Sequence, residues 1–282
     1  MPLISLIILS WPLHSCIHSR NQNPQTKYKV SKDNYSFFIE NSNTETTFEP
    51  KKEAFLKQQQ KLLSKSSWRE VKTLSLSYLE EAPYDRLALE YLCIAVYQLN
   101  LTDLATYYID LLLSLDQNDP VALNLKGLIA INDAQILNDY RMAISYFTKA
   151  MESNSDDVAS GLNLGYTYLS LGNASKASRI FRRIVKRCNE CPVAQTGYAI
   201  SLMRSGKHRS ATTILERLSN ETPDNLVAKY ELARYHFRVS RNSADANNIL
   251  REVFEKTNKK DRNEVLKRAK MLWKDQNKHN LF

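Results

Sequence analysis

Apolar side chains recur along most of this chain with the 3.6-residue spacing that is typical of amphipathic helices. Within that pattern, a small residue is followed four positions later by a large apolar residue, five times in succession. The pairs are Ala105/Ile109, Ala143/Phe147, Ala177/Phe181, Ala211/Leu215 and Ala246/Leu250, at steps of 38, 34, 34 and 35 residues. A period of this length predicts a repeated helical unit that buries one face against its neighbours.

Two places depart from the period. The long step between Ala105 and Ala143 contains the segment QILN (135–138), which we interpret as a four-residue loop insertion. Thirty-four residues before Ala105 the small position holds Val71, but the large position holds Ser75. The sequence therefore predicts a sixth, N-terminal unit that is degenerate or shifted in register.

A second series of small residues lies upstream of the first, one on an apolar helix of each unit. Its members are Cys93, Gly127, Gly165, Ala199 and Ala233. Small side chains at these places allow two helices to approach closely. Turn signals separate the units at 82–85, 118–120, 191–192 and 222–224, and Gly172 and Gly206 stand where helix C-terminal caps are expected.

These residues resemble the tetratricopeptide repeat, whose pattern is met best by Leu164-Gly165, Tyr168, Ala177 and Phe181. The resemblance implies an all-α fold, a superhelix or α-solenoid of antiparallel helix pairs. We expect an array of about five to six pairs over 51–256, beginning with a weaker pair at 51–65 and 68–81. A basic C-terminal capping helix and tail would follow over 257–282.

The resemblance also implies a concave groove, lined by the first helix of each pair, that holds a peptide or helix of a protein partner. The repeat register assigns nine residues to this groove: Tyr91, Tyr97, Asn163, Tyr166, Arg204, Tyr230, Arg234, Phe237 and Arg238. The alternative for each aromatic residue is a place in the core between helices. Because Arg seldom serves as core, we expect charge reversal at Arg234 and Arg238 to weaken partner binding without unfolding the protein.

The N-terminus carries an apolar run from Leu3 to Trp11 that is too short to span a bilayer and is typical of a signal peptide. Leu13-His14-Ser15-Cys16 resembles the bacterial lipobox, although His14 and the missing basic residues depart from the pattern. The resemblance implies a signal peptide over 1–15, a lipid on Cys16 and a polar flexible linker over 16–50. A plain signal peptide and a chance apolar N-terminus are the alternatives.

Three further cysteines follow Cys16. Cys93 occupies a small-residue position, so we expect a buried thiol. Cys188 and Cys191 form C-N-E-C at a junction between helices, and in an exported chain we expect them to form a disulfide. Reduced thiols are the alternative.

Composition narrows the possible chemistry. Only 6 Gly and 8 Pro disfavour an all-β fold, and the chain has no phosphate-binding glycine motif. The five His show no metal spacing and no catalytic constellation emerges, so we expect no enzyme activity, no cofactor and no metal. The net charge of +9, from 39 basic and 30 acidic residues, favours acidic partners.

The layout of lipobox, linker and repeat array is similar to that of periplasmic tetratricopeptide lipoproteins that serve pilus assembly, of the Tad type, or act as secretin pilotins. That resemblance implies a protein-binding scaffold anchored in the bacterial outer membrane and facing the periplasm, whose partner is a secretin or pilus component and which binds no nucleic acid. The alternative is a cytosolic adaptor of the same fold that binds nucleic acid or acidic partners. A cell-wall hydrolase is the enzymatic alternative.

Overall fold

The computed structural model describes residues 45–137, 140–154, 157–188, 191–256 and 264–278. Within these ranges the chain forms thirteen α-helices and no strand. They are α1 Glu45–Ser64, α2 Trp68–Glu81, α3 Arg86–Gln98, α4 Thr102–Leu115, α5 Pro120–Leu137, α6 Arg141–Ser153, α7 Val158–Ser170, α8 Ala174–Arg187, α9 Pro192–Arg204, α10 His208–Glu221, α11 Leu226–Arg238, α12 Ser243–Lys256 and α13 Glu264–Lys278. The predicted all-α fold of stacked helix pairs is confirmed.

The chain divides into two compact units between Asp157 and Val158. In the first unit, α1 to α6 form three helix pairs, and α5 also packs on α3, the first helix of the preceding pair. In the second unit, α7 to α12 form three further pairs, with α9 packed on α7 and α11 packed on α9. The capping helix α13 packs on both α11 and α12. In each unit, the second helix of one pair also packs on the first helix of the next pair, which stacks the pairs in order.

The five small-then-large pairs of the sequence form the centre of the packing. All ten side chains have no exposed surface. Phe181 shows why small residues are needed nearby, since a Cβ added at Gly165 would lie 2.6 Å from its ring and one added at Gly197 would lie 2.5 Å from it. Helices α7 and α9, each the first helix of its pair, therefore both approach Phe181 at a glycine.

The first helix pair, α1 and α2, corresponds to the degenerate repeat and has a pair of polar side chains in place of the large apolar residue. Val71 and Ser75 are fully buried on α2, and the Ser75 hydroxyl oxygen accepts a hydrogen bond of 2.8 Å from Gln59 Nε2 on α1. Gln59 is itself fully buried. The register of the predicted sixth unit is thus kept, while the position of the large residue changes from apolar to polar.

The insertion at 135–138 lengthens a helix and does not form a loop over residues 135–137. α5 has 18 residues, whereas the first helices α3, α7, α9 and α11 have 13 each. Gln135 to Leu137 are helical because Ala, Gln, Ile and Leu continue the helix without a glycine or proline to end it. The interpretation of these residues as a loop was wrong.

The helix boundaries agree with the predicted turns and differ at the N-terminus. Gly172 and Gly206 follow α7 and α9 with φ of 75° and 76°, the left-handed conformation of a helix C-terminal cap. α1 begins at Glu45, so residues 45–50 of the predicted linker are helical. The apolar spacing along the sequence did not mark residues 45–50 as helical. The predicted signal peptide, Cys16 and the rest of the linker lie outside the described residues.

Candidate functional site

Three of the nine predicted groove residues are core residues in the structure. Tyr166 is 1% exposed; its hydroxyl donates a hydrogen bond of 3.0 Å to the backbone oxygen of Val193, and its ring packs edge-on against Phe181. Burial raises the pKa of the Tyr166 phenol above its ordinary range. This side chain joins the first helices of consecutive pairs and is not accessible to a partner.

The two tyrosines predicted for the groove on α3 are also buried. Tyr91 packs edge-on against Phe55, with 6.1 Å between the ring centroids. Burial raises the pKa of Tyr97 to about 12. Tyrosines at helical spacing can either pack in the core or line a groove. Tyr91 and Tyr97 pack in the core.

The remaining predicted residues lie in the second unit and are at least partly accessible. Asn163, Tyr230, Arg234 and Phe237 are half-buried, while Arg204 and Arg238 are exposed. Phe237 packs with Tyr230 against the core that α11, α12 and α13 share. The accessible part of the predicted groove is therefore dominated by arginine.

A buried carboxylate organises these arginines. Glu231 on α11 is 3% exposed, and its Oε2 accepts a hydrogen bond of 2.8 Å from Arg234 Nε and a second, charge-assisted bond from Arg234 Nη2. A guanidinium group that grips one carboxylate oxygen through two nitrogens is held in a fixed orientation. Arg234 therefore has a structural role, because it neutralises a buried carboxylate, in addition to being partly accessible.

Arg204 lies beside this ion pair at the end of α9. Its Nη1 donates a hydrogen bond to the backbone oxygen of Leu169 in the last turn of α7. Desolvation lowers the pKa of Arg204, Glu231 opposes that change, and the positive charges of Arg234 and Arg268 add to it. Several guanidinium groups are thus close enough to repel one another.

The same charged groups also act on the phenol of Tyr230 on α11. Burial and the charge of Glu231 raise the pKa of its phenol, whereas Arg234, Arg268 and Arg238 act to lower it. We call Arg204, Arg234, Arg238 and Arg268, whose positive charges act on Tyr230 or on one another, the arginine cluster. It combines four guanidinium groups with one carboxylate, an excess of positive charge that suits an acidic ligand.

Two members of this site could not be identified from the repeat register. Glu231 precedes Arg234 by three residues, a spacing that allows an ion pair on the surface of a helix. The sequence does not show that the carboxylate is buried, because its burial depends on the neighbouring helices. Arg268 lies on α13, whose packing against α11 brings a distant arginine to the cluster. The sequence predicted a basic capping helix after the last repeat, but not which of its residues would lie near α11.

The C-N-E-C pair spans the junction between α8 and α9. Cys188 is the C-terminal cap of α8 and Cys191 the N-terminal cap of α9. Burial raises the pKa of the Cys191 thiol, and its contact with the Cys188 thiol acts in the same direction. Both are thiols in the structure, as is the buried Cys93, so the disulfide stays a prediction.

Within the described ranges, no helix combines the length and apolar character needed to cross a bilayer. The same residues contain no group of three or more His, Cys, Asp or Glu arranged to hold a metal ion.

Comparison with known proteins agrees with this architecture. Residues 162–191, which cover most of α7 and all of α8, match a model of the tetratricopeptide repeat. No curated protein matches this sequence.

Solved structures with the same fold include a type IV pilus biogenesis factor and other bacterial proteins. PilW, described as a widely conserved type IV pilus biogenesis factor, has a TM-score of 0.58 at 17% identity, over 77% of this chain and 97% of its own. The pilF protein of Pseudomonas aeruginosa has a TM-score of 0.58 at 16% identity, over 72% and 90%. A thermophilic tetratricopeptide protein of Thermus thermophilus has a TM-score of 0.54 at 18% identity, over 64% and 97%. The fold is that of tetratricopeptide repeat proteins, which are protein-binding scaffolds.

Proposed function

We propose that this protein is a scaffold that captures an acidic segment of a protein partner at the arginine cluster of its second unit. The observation that carries the proposal is the ion pair between Arg234 and the buried Glu231, with Arg204 on α9, Arg238 on α11 and Arg268 on α13 close enough to influence this site electrostatically. Arginine is enriched at the anchor points of protein interfaces because its planar fork binds carboxylates in a fixed geometry.

The members of the cluster have different tasks in this proposal. Glu231 neutralises Arg234 and fixes its guanidinium, which orients the site. Arg238 is exposed one turn further along the same helix and meets the ligand directly. Tyr230 and Phe237 add half-buried apolar surface beside the charges.

We further propose that the scaffold is lipid-anchored through Cys16 in the bacterial outer membrane, faces the periplasm, and supports pilus or secretin assembly. The support for this placement is the layout of the sequence: an apolar run, a lipobox-like LHSC, a polar segment and then the repeats. The similarity to PilW and pilF concerns the fold.

The structure shows that partner capture should be tested with a different variant from the one that the sequence suggested. Reversing Arg234 would leave the buried Glu231 without its partner and add a second carboxylate, which costs about 3–5 kcal/mol of stability. We therefore no longer expect the protein to keep its stability when the charges of Arg234 and Arg238 are both reversed. Arg238 alone is the useful position, because it is exposed at the end of α11.

The test is capture of a partner by the immobilised protein from membrane extract of producing cells, with identification by mass spectrometry. We expect a secretin or pilus protein, and we expect Arg238→Glu to weaken its binding by about 2 kcal/mol, roughly 30-fold. Arg251→Glu is the matched control, since Arg251 is exposed on α12 and outside the cluster. Equal binding by both variants, with unchanged melting temperatures, would place the partner elsewhere.

A further inference from the structure

Helix α8 presents an exposed face made almost entirely of positive charge. Seven of its residues are exposed, and all except Ser175 are basic: Lys176, Arg179, Arg182, Arg183, Lys186 and Arg187. The helix contains no Asp or Glu. We call these six residues the basic stripe.

The basic stripe lies opposite the face that α8 buries. At about 100° per residue, the six positions fall within an arc of roughly 140°, and the buried Ala174, Ala177, Phe181 and Ile184 are centred on the other side of the helix. From Lys176 to Arg187 the stripe covers 12 residues and is about 18 Å long. The charges therefore point away from the packed core of the second unit along the whole helix.

Other second helices show that such a face is not required for solubility. α4 carries Asp103 and Asp110 and no basic residue. On α10 the exposed Arg217 forms an ion pair of 2.7 Å with Glu221. Mixed or acidic faces serve at equivalent places, so the concentration of six like charges on α8 needs a separate explanation. Like charges one turn apart destabilise a helix unless an outside anion compensates them.

We propose that the basic stripe docks the second unit onto an anionic lipid surface. A stripe on the outer side of a single helix contacts a ligand from one direction, which suits a broad surface better than a peptide held between helices. Clusters of four to eight Lys and Arg on a helix are typical of binding to anionic lipid headgroups. This inference uses α8 alone and depends neither on the arginine cluster nor on Cys16.

Lipid is favoured over nucleic acid by what the stripe does not contain. Nucleic-acid surfaces combine phosphate contacts with side chains that read base edges or with aromatic rings that stack on bases. The exposed residues of α8 include no aromatic ring, no Asn and no Gln. The ring of Tyr168 on α7 lies against Lys176 of the stripe, with 5.1 Å from the ammonium to the ring centroid.

The test measures binding of full-length Cys16→Ser protein to vesicles by co-sedimentation. Neutral phosphatidylcholine vesicles report any contribution of the apolar N-terminal run, and vesicles that also contain phosphatidylglycerol report the charge-dependent part. The stripe variant is Arg179→Gln/Arg183→Gln/Lys186→Gln, which keeps helix propensity because Gln, Lys and Arg are similar in it. The control is Lys267→Gln/Lys270→Gln/Lys274→Gln, which removes the same charge from exposed positions of α13.

We expect the protein to bind anionic vesicles more tightly than neutral ones, with the difference lost at high salt. The stripe variant should weaken anionic binding on the order of 100-fold, at about 1 kcal/mol for each charge removed, while the control stays close to the parent protein. Equal losses in both variants would show a net-charge effect and overturn the proposal. Binding of duplex DNA that depends on the stripe, without binding to anionic vesicles, would overturn it in favour of nucleic acid.

Discussion

At the scale of single residues, the packing of this protein depends on contacts between an aromatic ring and helices that carry no side chain at the point of contact. Phe181 meets Gly165 of its own pair and Gly197 of the following pair, and Tyr166 packs edge-on against it at 4.9 Å between centroids. The ring is enclosed on several sides, so it cannot move away from an added group.

Replacement of Gly165 by Ala is therefore expected to destabilise the second unit. The new Cβ would lie 2.6 Å from Phe181 Cζ, and overpacking of this kind costs about 1–3 kcal/mol. Urea denaturation followed by circular dichroism measures the loss. Phe181→Leu should cost less in the Gly165→Ala protein than in the parent, because the smaller side chain removes the clash. Strictly additive costs of the two changes would contradict this account.

At the scale of helices, the N-termini of successive first helices are held by side chains of the preceding first helix. Asp85 and Asp119 cap α3 and α5, and they bind Lys52 and Arg86 respectively, each 33 residues upstream of a carboxylate. In the second unit, Asn225 caps α11 and donates to Thr196 on α9. A single polar side chain thus ends one helix and joins it to its neighbour.

Asp119 tests this arrangement most directly, because it is fully buried. Although burial lowers the pKa of Arg86, Asp119 and Glu90 outweigh that effect and raise it, so the ion pair is electrostatically favourable. Asp119→Ala removes both the cap and the ion pair and should cost about 3–5 kcal/mol. Asp119→Asn keeps the cap and should cost less.

Chemical denaturation of both variants decides the point, with Asp103→Asn as the control. Asp103 is exposed in the first turn of α4, where its replacement should change stability by about 0.5 kcal/mol or less. If Asp119→Ala and Asp119→Asn are equally destabilised, the cap makes no separate contribution and the ion pair alone holds the junction.

At the scale of the whole molecule, the chain is two compact units with separate cores, and the charged surfaces that we assign to ligands both belong to the second. The arginine cluster involves α9, α11 and α13, while the basic stripe occupies α8. The first unit contributes packing through the Gln59–Ser75 pair and the Arg86 ion pairs. Partner capture and surface docking are thereby placed on different helices and can be separated by mutation.

The proposed anchor is tested on the intact protein in cells. Cys16→Ser should leave an uncleaved or soluble precursor and abolish labelling by a palmitate analogue. At high salt, where binding through the basic stripe is lost, it should also move the protein from the membrane fraction to the soluble fraction, because the lipid supplies the remaining membrane affinity. Cys188→Ser is the control for loss of a thiol outside the lipobox-like sequence. Unchanged fractionation and gel mobility of Cys16→Ser would contradict lipidation and favour the cytosolic alternative.

The sequence by itself determined the helices, their period and the residues at their centre. A small residue and a large one four positions apart can face a neighbouring helix only if the chain is helical there, so the pattern was sufficient to locate Ala177 and Phe181 in the core. The same local logic located the glycine caps at Gly172 and Gly206.

Tertiary structure decided which side chains on a first helix are buried and which are accessible. The repeat register assigned both Tyr166 and Arg234 to the groove, yet Tyr166 is buried against the next first helix and Arg234 is held by a buried carboxylate. Arg268 joins the cluster only because α13 packs on α11. Periodicity specifies the face of a helix, but burial and electrostatic neighbours depend on helices distant in sequence, which a single chain pattern does not contain.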